Sequence, residues 1–146
     1  MNAEFQDCLK RKKIQEFSRG EALIEKELKT AEQDLASAKE SFGAKNFKWS
    51  TIQSYYAMFH SARALLFLEN LREKSHHCLI IALRALFVDK KLLQASLVES
   101  LQKAKLLREN ADYYDDWSEG TAESLISAAE QFFEVSKKLI LDKRSK

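Results

Sequence analysis

Between Asn46 and Ile80 the apolar positions recur on more than one face of a helix. Ile52, Tyr55, Phe59, Ala62 and Leu66 alternate spacings of three and four, while Met58, Leu65 and Leu68 form a second face with small residues (Ala57, Ser61, Ala64) between. Such a helix has no wet side, so the pattern predicts the central helix of a bundle. Upstream, Leu28, Ala31, Leu35, Ala38 and Phe42 keep a three-four seam, predicting a helix over about Glu21–Phe42 ended by Gly43 as a C-terminal cap. The short link through Ala44 and Lys45 makes these two helices antiparallel neighbours. A thinner stripe (Phe5, Cys8 or Leu9, Ile14 or Phe17) predicts a first helix over Ala3–Phe17, with Lys10, Arg11, Lys12 and Lys13 on its polar face and a break at Ser18-Arg19-Gly20.

Beyond the central helix, LREKS reads as a polar turn and Ser75 as the N-cap of a helix carrying Leu79, Ile80, Leu83, Leu86 and Phe87. Asp89–Lys91 is a loop or a kink, after which Leu93, Leu97, Leu101 and Ala104 continue helical spacing to about Leu107. Glu109–Glu119 reads as an irregular acidic connector holding Tyr113, Tyr114 and Trp117. A last helix then aligns Ala122, Leu125, Ala129, Phe132, Ser136 and Leu139, and the basic tail DKRSK is expected to fray. The expected architecture is all-α: an antiparallel up-and-down bundle of four to five helices over residues 21–142, with an extra N-terminal helix within 1–19, in a single domain.

Composition supports this. The 146 residues contain no proline and only three glycines, so almost nothing interrupts a helix. A formal charge of +2 provides no global field for nucleic acid. Its distribution is uneven: Leu71–Arg108 holds eight Lys or Arg against three acids, and Glu109–Glu134 holds eight acids with no Lys or Arg. Faces of opposite sign meeting across the bundle are the commoner meaning of such a switch. Cys8 and Cys78 lack metal-ligand spacing, which suits reduced thiols and a cytoplasmic protein. No apolar run is long enough for a membrane span, and the charged N-terminus does not read as a signal peptide.

No phosphate-binding glycine loop, zinc-type His/Cys cluster or nucleophile elbow is present, and no metal or cofactor is expected. Three groups of residues remain. Tyr56, His60 and Arg63 share one stripe of the central helix, suited to a hydrogen-bonded seam within the bundle or to a dimer interface. Arg72, Lys74, His76 and His77 cluster at a helix N-terminus, whose free amides and positive end attract phosphate. Arg108 precedes the aromatic connector, where it could pair with Asp112, Asp115 or Asp116, or meet a phosphate beside Tyr113 and Tyr114.

The segments SYYAMFHSARALL, KSHHCLI and LRENADYYDDW, in that order before a last amphipathic helix, resemble the HEPN domain family. The likeness is to small prokaryotic HEPN proteins encoded beside minimal nucleotidyltransferases. It spans roughly Ala31 to Leu141 and leaves out the basic N-terminal helix. The resemblance implies a helical bundle that commonly dimerises, and in several branches a toxin or defence protein that cuts RNA without metal. Those branches use an Arg, four to six intervening residues and a His, before the last helix. The Arg position falls on Arg108, but the His position falls on Tyr113 or Tyr114. Asp115 or Asp116 stands where some relatives carry a tyrosine modified by the partner. The leading expectation is therefore a dimeric module with weak or no nuclease activity, acting with a nucleotidyltransferase or binding a nucleotide or RNA phosphate. Competing with it are a ribonuclease toxin using Arg108 with an unconventional partner or Arg72 with His77, and a plain interaction domain.

Overall fold

The computed structural model describes residues 2–145, and its architecture is all-α. Helix α1 spans Ala3–Lys10, α2 Gly20–Gly43, α3 Phe47–Leu68, α4 His76–Leu83, α5 Ala95–Tyr113 and α6 Glu119–Arg144. α3 is the axis of the bundle, packed against α2, α5 and α6. Tyr55, Met58, Leu65 and Leu66 are all but sealed from solvent, as are Ala57, Ala62 and Ala64, whose small size lets neighbouring helices approach. The directions follow from pairs at the two ends. Lys48 at the start of α3 meets Asp115 just before α6, and Glu69 after α3 meets Lys143 near the end of α6, so these helices run parallel. Arg144 reaches Glu21 and Glu25 at the start of α2, which sets α2 antiparallel to both.

The N-terminal expectation is corrected. α1 ends at Lys10, and Ile14–Glu16 forms a strand, β1, paired antiparallel with Leu71–Glu73, β2. Lys12 turns the chain with φ 59°, and the helical periodicity that joined Ile14 to Phe5 and Cys8 is a coincidence of spacing. The polar LREKS turn is thus partly a strand that seats Glu73 under the bundle. The cysteines are corrected as well. Cys8 and Cys78, 70 residues apart, form a disulfide that joins α1 to the first turn of α4.

Other differences are local. Gly43 lies inside α2, and the left-handed residue that reverses the chain is Lys45, with φ 62°. Asp89–Lys91 does stop the helix: α4 passes into a π-turn over Arg84–Val88, and Lys91 at φ 60° starts a loop reaching Gln94. α5 continues through Tyr113, so the connector shrinks to residues 114–118, and α6 holds its helix to Arg144. Among the described residues no helix is long and apolar enough to cross a membrane.

Candidate functional site: a buried arginine among tyrosines

α5 carries Arg108 on the side that faces α3, one turn beyond the packed Ala104. Its helix position therefore forces a charged side chain into the bundle, where it is only 7 % exposed. The guanidinium lies 5.3 Å from the ring centre of Tyr55 and 5.7 Å from those of Tyr56 and Tyr113. Three aromatic faces stabilise the cation through their quadrupoles. Ionic pairing is poor by comparison: Nη1 stands 3.7 Å from Asp112 and 3.5 Å from the Tyr113 hydroxyl, both long, and the buried Nε has no partner. A planar donor fork with unused hydrogen-bonding capacity is suited to phosphate or carboxylate oxygens.

His76 enters from a different element. Ser75 caps α4 by accepting a hydrogen bond from the Cys78 amide at 3.0 Å, which fixes His76 as the first helical residue. Its imidazole stacks on Phe59 at 4.3 Å between ring centres, and Nδ1 lies 2.6 Å from the Tyr55 hydroxyl. Burial lowers its pKa below the ordinary imidazole value, and the charge of Arg108 lowers it further, with Lys105 and Arg63 adding to the effect against Glu73. Burial pushes Tyr55 the opposite way, so it remains a protonated phenol. Tyr55 thus touches both the arginine and the histidine.

The remaining candidates are placed as follows. Tyr113 is the outer wall of the arginine site and is 68 % exposed, whereas Tyr114 points to solvent at 76 %. Arg72 is exposed and lies over the Phe17 ring at 5.1 Å; Lys74 is exposed; His77 faces a shallow depression with Glu4, Lys103 and Lys105. The structure therefore does not gather Arg72, Lys74, His76 and His77 into one phosphate cradle. The stripe on α3 divides. Tyr56 joins Arg108, while His60 and Arg63 enter an ion network with α2 and β2. His60 Nδ1 is 2.6 Å from Glu27, and its Nε2 is 3.8 Å from Asp34. Arg63 donates to both oxygens of buried Glu73, at 2.8 and 3.2 Å, and approaches Glu27 at 3.5 Å.

Sequence reasoning missed Glu27, Asp34 and Glu73, and it treated Tyr55 as core alone. Two of these left a trace: Glu27 and Asp34 are seven residues apart and each directly precedes a seam leucine, so both flank the buried face of α2. Among the described residues no group of three or more His, Cys, Asp or Glu could hold a metal ion.

Comparison with known proteins agrees with this architecture. The HEPN domain profile matches residues 24–139. A Methanocaldococcus jannaschii protein named "Putative toxin MJ0605" is 37 % identical over 121 residues, covering 82 % of this chain and 87 % of its own. A second protein of that organism, "Putative toxin MJ0142", is 26 % identical over 122 residues, covering 82 % of this chain and 83 % of its own. The matched span runs from the first turns of α2 to Leu139 in α6 and contains every residue of the arginine site, and on that extent the chain belongs to the HEPN domain family.

Proposed function

We propose that this chain is a toxin-type HEPN module that binds an RNA phosphodiester at Arg108, as a homodimer controlled by a nucleotidyltransferase-type partner. The observation that carries the reading is the incomplete pairing of Arg108. A guanidinium withdrawn from water normally satisfies its donors, because an unpaired buried charge is costly. Here aromatic faces hold the cation while leaving hydrogen-bonding capacity free, and Tyr113 covers it with a ring that is itself largely in solvent. A phosphate displacing the Tyr113 hydroxyl would reach Nη1 and lie among rings on which a base can stack. The toxin names of the relatives support the biological class. The resemblance to HEPN proteins encoded beside minimal nucleotidyltransferases supports the partner and the dimer.

The test is fluorescence anisotropy with a labelled single-stranded RNA in EDTA. Arg108→Ala should weaken binding about tenfold or more, the value of a charge-assisted hydrogen bond to phosphate. Arg108→Lys, which keeps the charge and loses the fork, should fall between. Unchanged affinity in both variants, with intact helical melting curves, would remove the assignment.

A second reading, cleavage of the bound RNA, requires a proton acceptor close to that phosphate. α5 supplies none: Tyr113 and Tyr114 occupy the histidine position of the cutting relatives, and an ordinary tyrosine ionises near pH 10.

A further inference from the structure

We infer that α4 supplies the missing group: His76, held by Tyr55 beside Arg108, is the proton acceptor for metal-independent cleavage of RNA. The inference rests on the RNA-phosphate reading of Arg108; metal-independent cleavage is what the family resemblance implies, and what is new is a residue from outside the α5 motif to carry it.

The geometry is the argument. Arg108 and His76 lie against the same tyrosine, with the guanidinium 5.3 Å and the imidazole centre 5.8 Å from the Tyr55 ring centre. Phe59 supports the imidazole at 4.3 Å, so its plane is fixed by packing. Tyr55 is almost wholly buried, a rigid spacer that keeps the two polar groups apart yet adjacent. With Nδ1–H donating to the Tyr55 hydroxyl oxygen, the tautomer leaves the Nε2 lone pair free. His76 is partly exposed, and no other hydrogen bond engages its ring among the described residues. The groups facing it are Tyr55, Arg108, Lys105, Arg63 and Glu73; the cations outnumber the single carboxylate and favour neutral imidazole.

In the reaction, His76 Nε2 takes the proton of a ribose 2′-hydroxyl as the 2′ oxygen bonds to phosphorus. The bond from phosphorus to the 5′ oxygen breaks, and that oxygen takes a proton from solvent. The products are a 2′,3′-cyclic phosphate and a 5′-hydroxyl end, and the imidazolium returns its proton to solvent. Negative charge gathered on the non-bridging oxygens faces Arg108. Tyr55 is a positioning residue: its hydroxyl acts through His76, and its ring, which Tyr55→Phe keeps, supports Arg108.

The experiment uses the full chain in EDTA with a single-stranded RNA oligonucleotide, reading binding by anisotropy and cleavage on a gel. His76→Gln should cut the cleavage rate about 100-fold or more while changing affinity only a few-fold. Tyr55→Phe should lower kcat with KM unchanged. The wild-type rate should fall as pH drops through a limb lying below the ordinary histidine range, and His76→Gln should lack that limb. Replacing the ribose with deoxyribose at the cleaved linkage should stop the reaction. Wild-type protein that binds RNA without cutting it would overturn this inference and leave the binding assignment intact. So would His76→Gln cutting at the wild-type rate, or cleavage at the deoxyribose linkage. Absence of RNA binding would sink both.

Discussion

Glu27 shows how much a single side chain decides here. Burial alone would raise its pKa, but the hydrogen bond from His60 and the charges of His60 and Arg63 outweigh burial and hold it below the ordinary carboxylate value of 4.5. A carboxylate depressed in the folded state stabilises the fold above its unfolded pKa, and that stabilisation is lost as pH falls through the folded value. Urea midpoints measured from pH 7 to pH 3 should therefore drop below about pH 4.5 in the wild type and drop less in Glu27→Gln. At neutral pH the same variant should cost about 1–3 kcal/mol, because His60 and Arg63 lose a buried acceptor. Asp34 has the opposite sign: burial raises its pKa and His60 only partly offsets this, so its protonation favours the fold as pH falls, and Asp34→Asn, lacking that gain, should lose more stability on acidification than the wild type. Arg108 gives the contrasting case for binding. Its charge is poorly paired, so Arg108→Met should weaken RNA binding about tenfold or more, as Arg108→Ala does, while keeping or raising the melting temperature. These roles were only partly legible in the sequence. Arg108 stands out in the sequence by its place before the connector. Its cage does not, because Tyr55 and Tyr56 lie 53 and 52 residues upstream and only the packing of α3 on α5 brings them over it.

At the scale of elements, the sequence was most legible where one periodicity ran uninterrupted. α2, α3 and α6 follow the expected seams to within a few residues, because each buries a continuous face on its neighbours. Legibility failed at the chain reversals. With only three glycines in the chain, five reversals use Lys12, Lys45, Asn70, Lys91 and Asp115 in left-handed conformations, so the usual punctuation is missing. That substitution has a cost of about 1 kcal/mol per residue, and Lys45→Gly in the exposed α2–α3 reversal should raise stability by up to that amount in thermal melts. Gly20 is the converse. A Cβ there would sit 2.9 Å from the Phe67 carbonyl oxygen and 3.0 Å from its Cα, both backbone atoms that cannot move aside. Gly20→Ala should therefore destabilise the fold by about 1–3 kcal/mol in spite of its better helix propensity. The disulfide was illegible for a different reason: spacing in sequence says nothing of α1 folding back onto α4. Closing a loop between residues 70 apart restricts the unfolded chain, and dithiothreitol or Cys8→Ser should lower stability by about 2–4 kcal/mol.

At the scale of the whole molecule, ion pairs across the bundle meet only part of the acidic run that begins at Glu109. Lys39 of α2 meets Glu130 of α6 at 3.4 Å, Lys48 meets Asp115 at 3.0 Å, and Lys143 and Arg144 meet Glu69, Glu21 and Glu25. Asp115 and Glu130 thus find counter-charges across the fold, while Glu109 and Asp112 find theirs on α5 itself, in Lys105 and Arg108. Net charge is only +2, and the arginine site has Asp112 and Glu109 on its own helix beside Lys105. RNA bound there would contact few cations, whereas a protein that grips nucleic acid over a wide basic face neutralises many phosphates and loses affinity steeply in salt. For single strands the slope of log K against log salt is about −0.7 per neutralised phosphate. One or two contacts at Arg108 and Lys105 predict a slope of about −0.7 to −1.4, read from anisotropy titrations between 50 and 300 mM salt, roughly the range over which exposed charges become screened. Arg108→Ala should reduce the slope by about 0.7. A slope several times steeper in the wild type would mean that the RNA lies along a surface other than the tyrosine-lined arginine.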